Sequence, residues 1–134
     1  MFETTQKVLF RHCDPAGIVF FPRAFEIAND LVERFFAEAL DWPFEDLLRD
    51  AGVPTAEIAT RFRAPSRHGD VLRLRLALTK LGRTSLAYRL DAQCGGEPRW
   101  ETRATLVHVG AGGRPAPWPD AVRLRLADHL EPAP

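Results

Sequence analysis

The stretch PRAFEIANDLVERFFAEAL, residues 22–40, decides the fold. Phe25, Ala28, Leu31, Val32, Phe35, Phe36 and Ala39 recur at three- and four-residue intervals, while Glu26, Asp30, Glu33, Arg34 and Glu38 fall on the other side. At about 3.6 residues per turn this spacing gathers the apolar side chains into one stripe, the pattern of a long amphipathic helix lying on a core. Pro22 suits the first turn of that helix, where its missing N–H costs nothing. The stripe is wide and aromatic enough to cover a sheet.

Strand-like runs flank the helix on both sides. Residues 2–11 alternate, with Phe2, Thr4, Gln6, Val8 and Phe10 on one side, which predicts a first strand. DPAG at 14–17 breaks the alternation, because Pro15 fixes its own φ and Gly17 permits unusual backbone angles. After the helix, Pro43 opens a short helical piece, FEDLLRDA, that Gly52 ends. Four strands are expected over 54–63, 71–80, 84–93 and 99–109, joined by short turns at PSRHGD, Gly82 and GGEP. The firmest is the second, where Leu72, Leu74, Leu76 and Leu78 alternate with Arg73, Arg75 and Ala77. In the third, Leu86, Tyr88, Leu90 and Ala92 face inward. A last short helix runs from Pro119 to about Leu130. One strand, one long helix and four strands give an α+β arrangement, a five-stranded mostly antiparallel sheet wrapped around the helix. A hotdog fold meets that description.

Length and composition narrow the function. A chain of 134 residues holds one substantial core, so a single domain over 1–134 carries the whole activity. With 46% hydrophobic and 27% charged residues it reads as an ordinary soluble globular protein. Eighteen basic and 18 acidic side chains balance, which argues against nucleic acid or an anionic membrane as partner. Only Lys7 and Lys80 are lysines, and such arginine-heavy usage suits phosphate contacts or reflects genome composition. Cys13 and Cys94 are far apart and lack the paired spacing of a zinc site, so a reducing, cytoplasmic setting is expected. No basic leader is present, and no apolar run approaches the ~18 residues of a membrane span.

FRHCDPAGIVFFPRAF at 10–25 resembles the strand–loop–helix signature of the 4-hydroxybenzoyl-CoA thioesterase family. In that family an aspartate before Pro-Ala-Gly-Ile-Val is followed by two aromatics and a proline. DPAGIV is identical here at 14–19, and the aromatics are Phe20 and Phe21. Weaker similarity extends over most of the chain, notably APSRHGDVL at 64–72 and LGRTS at 81–85. The resemblance implies hydrolysis of an acyl-CoA, with Asp14 as the catalytic carboxylate, acting as nucleophile or as general base towards water. It also implies that the Phe21 amide polarises the thioester carbonyl.

That division of labour has a physical basis. Acyl transfer needs an attacking group and a device that stabilises charge on the carbonyl oxygen. The first N–H groups of a helix lack partners inside it and lie at the positive end of its dipole. Losing one such donor typically adds about 3–4 kcal/mol to the barrier. Taken alone, an aspartate before proline is also a common turn cap. Gly17 shapes the turn against the substrate. His12 either shares a proton with Asp14 at the substrate or is a plain structural histidine. His12, Cys13 and Asp14 are consecutive and converge poorly on one ion, so no metal is expected.

By the same resemblance, the helix position fifteen residues after Asp14 receives a para-hydroxyl through an aspartate; here it is Asn29. Asn29 is then either a substrate contact of altered chemistry or a polar helix position. Arg83, with Ser85 beside it, matches the family's phosphate-binding cluster, although its neighbours are Gly82 and Thr84 where the family is basic. Arg103 and His108 on the last strand are the further candidates for coenzyme A. The substrate class is an aromatic or medium-sized acyl-CoA, with no cofactor, in a homodimer or homotetramer. Two rival readings stand beside it: a hotdog hydratase or dehydratase, which the lack of histidine over 22–40 disfavours, and a non-catalytic acyl-CoA binder.

Overall fold

The period-two leucines of residues 71–81 form the second strand of a five-stranded sheet. A computed structural model, which describes residues 1–132, gives β1 (Phe2–Lys7), α1 (Phe21–Glu38), α2 (Phe44–Leu47), β2 (Thr55–Phe62), β3 (Val71–Leu81), β4 (Ser85–Cys94), β5 (Glu97–Val107) and α3 (Asp120–Asp128). The strand order is β1-β3-β4-β5-β2, and every neighbouring pair is antiparallel. The sheet's inner face is built in rows: Leu78, Tyr88 and Ala104 lie opposite one another, as do Leu76, Leu90 and Thr102. Against it α1 buries Ala24, Ile27, Ala28, Leu31, Val32, Phe35 and Phe36, the stripe expected from the spacing. The other face carries Arg73, Arg75, Arg89, Asp91, Glu101 and Arg103, tied by pairs such as Arg89–Asp91 at 3.1 Å and Arg103–Glu101 at 2.7 Å.

Two departures from the sequence reading matter for the site. The first strand ends at Lys7, not at residue 11. Val8 is fully buried and its N–H donates to the Asp70 carbonyl, after which Phe10–His12 form a single 3₁₀ turn that leaves the sheet. The second concerns PSRHGD, expected as a short turn between paired strands. β2 instead pairs with β5 at the far edge, so residues 63–70 cross the sheet end to reach β3. Smaller differences are a second helix of only Phe44–Leu47 and a last strand that starts at Glu97 and stops at Val107.

Beyond α3 the chain returns to the sheet. Leu78 N–H donates to the His129 carbonyl at 3.2 Å and Glu131 N–H to the Leu78 carbonyl at 2.8 Å, so the C-terminal segment extends the β1 edge of β3. No helix among the described residues is long and apolar enough to cross a membrane.

Candidate active site

Asp14 sits in a narrow backbone loop. Cys13 and Val19 face each other as an antiparallel bridge, Asp14 N–H donates to the Ile18 carbonyl (2.9 Å), and Gly17 N–H donates to the Asp14 carbonyl (2.9 Å). Closing so tight a turn requires Gly17 at φ +78°, a region that residues with a Cβ rarely adopt. The Asp14 side chain takes part in the turn: Ala16 N–H donates to Oδ1 at 2.9 Å. This bond orients the carboxylate and leaves Oδ2 outside it, so the turn-cap and catalytic readings describe compatible roles for one side chain.

The loop feeds directly into α1. Phe20 N–H donates to the His12 carbonyl at 2.9 Å, and Phe21 is the first helical residue with Pro22 second. The Phe21 N–H therefore has no acceptor within the helix. The crossover 63–70 clamps the loop from the other side, with Val19 N–H on the Ser66 carbonyl (2.8 Å) and His68 N–H on the Gly17 carbonyl (2.9 Å). The crossover is itself pinned by Asp70, whose Oδ2 accepts from Arg67 N–H at 2.9 Å and from Arg99 Nη1 at 2.7 Å. These bonds, the backbone one foremost, hold the Asp70 carboxyl below the usual range. Sequence reading missed this support. Its trace in the sequence was the pairing of Asp70 with the lone arginine at 99, which contiguous pattern does not reveal.

His12 lies beneath the loop and is 1% exposed. Its Nδ1 accepts from Leu9 N–H at 2.9 Å, which places the ring proton on Nε2, and that atom is buried without a partner among the described residues. Burial, aided by Arg11 and opposed by Asp30 and Glu26, pushes its pKa down from 6.5. The sign follows directly: the unfolded chain binds the proton more readily, so the contribution is complete above the unfolded value and is lost as pH falls. His129, also lowered by burial, acts in the same direction. His12→Asn, whose Oδ1 can still accept from Leu9, is expected to flatten the loss of stability between about pH 7 and pH 5. Urea titrations of both proteins at the two pH values check this, and parallel curves would refute it.

Asn29 projects from α1 into a cavity of about 280 Å³ whose walls include Phe25, Val32, Phe44, Tyr88 and Leu106. Phe21, Phe25, Asn29 and Val32 form one stripe of the helix, and Asn29 stands eight residues, roughly 12 Å, beyond Phe21. Asp14 is not among the residues of that cavity wall. Asn29 is the one wall residue that sequence reading placed in a site; Tyr88, assigned from the alternation as an inward residue, is among those it did not.

The coenzyme A candidates divide. Ser85 pairs with Val107 at one end of the sheet, His108 N–H donates to the Thr84 carbonyl (2.7 Å), and the Arg83 carbonyl accepts from Trp118 N–H (3.1 Å). Arg83, Ser85 and His108 are thus neighbours, and Arg83 is exposed. The His108 ring is buried between Trp42 and Trp118, with Nδ1 2.7 Å from the Ala116 carbonyl. Arg103 does not belong with them: it lies opposite Arg89 on the outer face, four residues or roughly 13 Å along β5 from Val107. Among the described residues no three His, Cys, Asp or Glu side chains are grouped to hold a metal ion.

A long helix on a β1-β3-β4-β5-β2 antiparallel sheet defines a hotdog fold. Residues 8–126 match the model of the thioesterase-like superfamily, and the chain belongs to that family; it is a thioesterase-class enzyme. Among solved structures it is similar to a gentisyl-coenzyme A thioesterase (24% identity over 93% of this chain and 99% of that one, TM-score 0.85). It is also similar to a 1,4-dihydroxy-2-naphthoyl-CoA thioesterase from Synechocystis (18% identity, 98% of each chain, TM-score 0.87). A hypothetical protein from Staphylococcus aureus in complex with CoA shares the fold as well (17% identity, 99% of this chain and 87% of that one, TM-score 0.88). No curated protein matches the sequence.

Proposed function

We propose that this protein hydrolyses an aromatic or medium-sized acyl-CoA to the free acid and CoA, in the manner of the 4-hydroxybenzoyl-CoA type. The observation that carries the reading is the Asp14 loop, which fixes a carboxylate by the Ala16 N–H and runs within seven residues into the first free N–H of α1 at Phe21. The Asp14 carboxylate attacks the thioester carbon to give a mixed anhydride that water then opens, or it takes the proton of an attacking water. In either route the carbonyl oxygen gathers negative charge opposite the Phe21 N–H, and the C–S bond breaks to release CoA thiolate. Exposed Arg83, with Ser85, contacts the phosphates of CoA. The reaction uses no cofactor beyond the CoA of the substrate. The aromatic acyl groups named for two of the structural relatives and the CoA bound to a third support this substrate class.

The test is thiol release from benzoyl-, hydroxybenzoyl-, phenylacetyl- and short aliphatic CoA thioesters. Turnover of at least one aromatic member is expected; a panel without turnover sinks the reading. The two cysteines, half-buried and unpaired, support a reducing, cytoplasmic setting.

The site is shared within a homodimer, two of which make a homotetramer. Supporting this, β2 is an edge strand with its outer backbone row unpaired by other strands, and it exposes Ile58 and Phe62. Such an edge readily pairs with a second copy. An isologous contact applies any substitution twice. Phe62→Glu is therefore expected to weaken the dimer by at least about tenfold in dissociation constant, read by sedimentation equilibrium. An unchanged dimer would place the contact elsewhere.

A further inference from the structure

Both the Asp14 carboxylate and the Phe21 N–H depend on one buried residue for their placement. His12 closes the 3₁₀ turn by reciprocal bonds: its N–H donates to the Leu9 carbonyl at 2.9 Å, and Leu9 N–H donates back to its Nδ1 at 2.9 Å. Asp14 follows two residues later, and the His12 carbonyl accepts from Phe20 N–H, next to Phe21, at 2.9 Å. Neither ring nitrogen is bonded to Asp14: Nδ1 meets Leu9, and Nε2 has no partner among the described residues. The ring therefore shares no proton with the carboxylate. A buried N–H without an acceptor is uncommon and costly. Here the unpaired proton on Nε2 is what keeps a lone pair on Nδ1 for Leu9.

We propose that His12 is a positioning residue for thioester hydrolysis: its neutral ring holds the turn that sets both Asp14 and the Phe21 N–H, and a proton on Nδ1 releases that turn. The inference rests on the acyl-thioesterase reading. A second ring proton would set two donors, Nδ1–H and Leu9 N–H, against each other across 2.9 Å, and would leave a buried charge with no acceptor at Nε2. Burial lowers the ring's pKa from 6.5; Arg11 on the turn and Arg23 on α1 act with it, while Asp30 and Glu26 on α1 act against it. On the crossover, Asp70 is engaged by Arg67 N–H and Arg99, and the His68 ring lies against Phe10. The ring is thus neutral at about pH 7, and the turn is released only in acid. A misplacement of about 1 Å at the reacting groups can slow a reaction about 100-fold, so a loosened turn is enough to be felt in the rate.

The test follows kcat and KM for the best thioester of the panel between about pH 8 and pH 5, on wild type, His12→Leu and His12→Asn, with backbone amide and histidine ring NMR signals recorded over the same range. His12→Leu, which offers Leu9 no acceptor, is expected to lower kcat about tenfold or more and to leave KM within about twofold. His12→Asn, whose Oδ1 accepts in place of Nδ1 and does not titrate, is expected to recover kcat and to lose the acid step that wild type shows below pH 6.5. In wild type the Leu9 and Phe20 amide signals should move with the ring titration. A pH profile unchanged by His12→Asn, or a folded His12→Leu protein with wild-type kcat, would overturn the proposal. If no thioester turns over but both amides follow the ring, the activity reading fails and the coupling of ring to loop stands. If turnover occurs and neither amide follows the ring, the positioning role fails alone.

Discussion

Asp14→Asn is expected to lower thioester turnover by about 10³-fold or more with the fold intact, as a carboxylate acting as nucleophile or general base contributes on this scale. The substitution isolates the chemistry because an amide oxygen can replace Oδ1 as acceptor for the Ala16 N–H, the 2.9 Å bond that shapes the loop. Gly17 keeps its turn, and the Ser66 and His68 contacts to the loop are between backbone atoms. What the amide lacks is negative charge, so it neither attacks the carbonyl carbon nor takes a proton from water. The remaining rate would come from the Phe21 N–H and substrate positioning, and such residual catalysis persists when attacking groups are removed elsewhere. Initial rates of thiol release, with the thermal midpoint measured in parallel, check the prediction. Turnover within tenfold of wild type at an unchanged midpoint would remove Asp14 from the mechanism.

The parts of this structure that were legible in the sequence are those whose physics is local. The α1 stripe and the Leu72–Leu78 alternation are properties of short contiguous segments, and the structure buries both sets. Asp14, Gly17 and Phe21 were legible as a group because one loop and one helix start hold them together. Pairing was not. The local patterns of β2 and β3 suit a hairpin, and only the sheet order reveals that β4 and β5 lie between them. The same crossover hides the clamp on the Asp14 loop, since Ser66, His68 and Asp70 resemble ordinary turn residues. The turn that buries His12 was not legible, because alternation through Phe10 gives no sign that the chain leaves the sheet after Lys7. Tyr88 fits the inward row as well as any leucine, and its cavity with Asn29 exists only once helix and sheet meet.

Phe36→Ala is expected to cost about 3–5 kcal/mol of folding stability, the range for removing a buried aromatic side chain. The side chain is 0% exposed and joins three parts of the chain beyond its own helix. Its ring lies 5.5 Å from Phe44 of α2, 6.4 Å from Trp42 and 6.5 Å from Trp118, which precedes α3, besides 6.0 Å from Phe35. These neighbours are rigid rings held on separate elements, so they collapse poorly into the space left by truncation. The loss includes a cavity contribution as well as the lost burial. Against a total of about 5–15 kcal/mol for a domain of this size, that is a large fraction. Urea unfolding should show a lower midpoint with an unchanged slope, since the surface exposed on unfolding hardly changes. A loss below about 1 kcal/mol would mean that the aromatic cluster is not the anchor of α1. The folded fraction is expected to keep near wild-type turnover, because Phe36 is fifteen residues, roughly 22 Å, along α1 from Phe21. The two large effects therefore separate along one helix: its N-terminal turn carries the Phe21 N–H proposed to polarise the substrate, and its C-terminal half fastens that turn to the core.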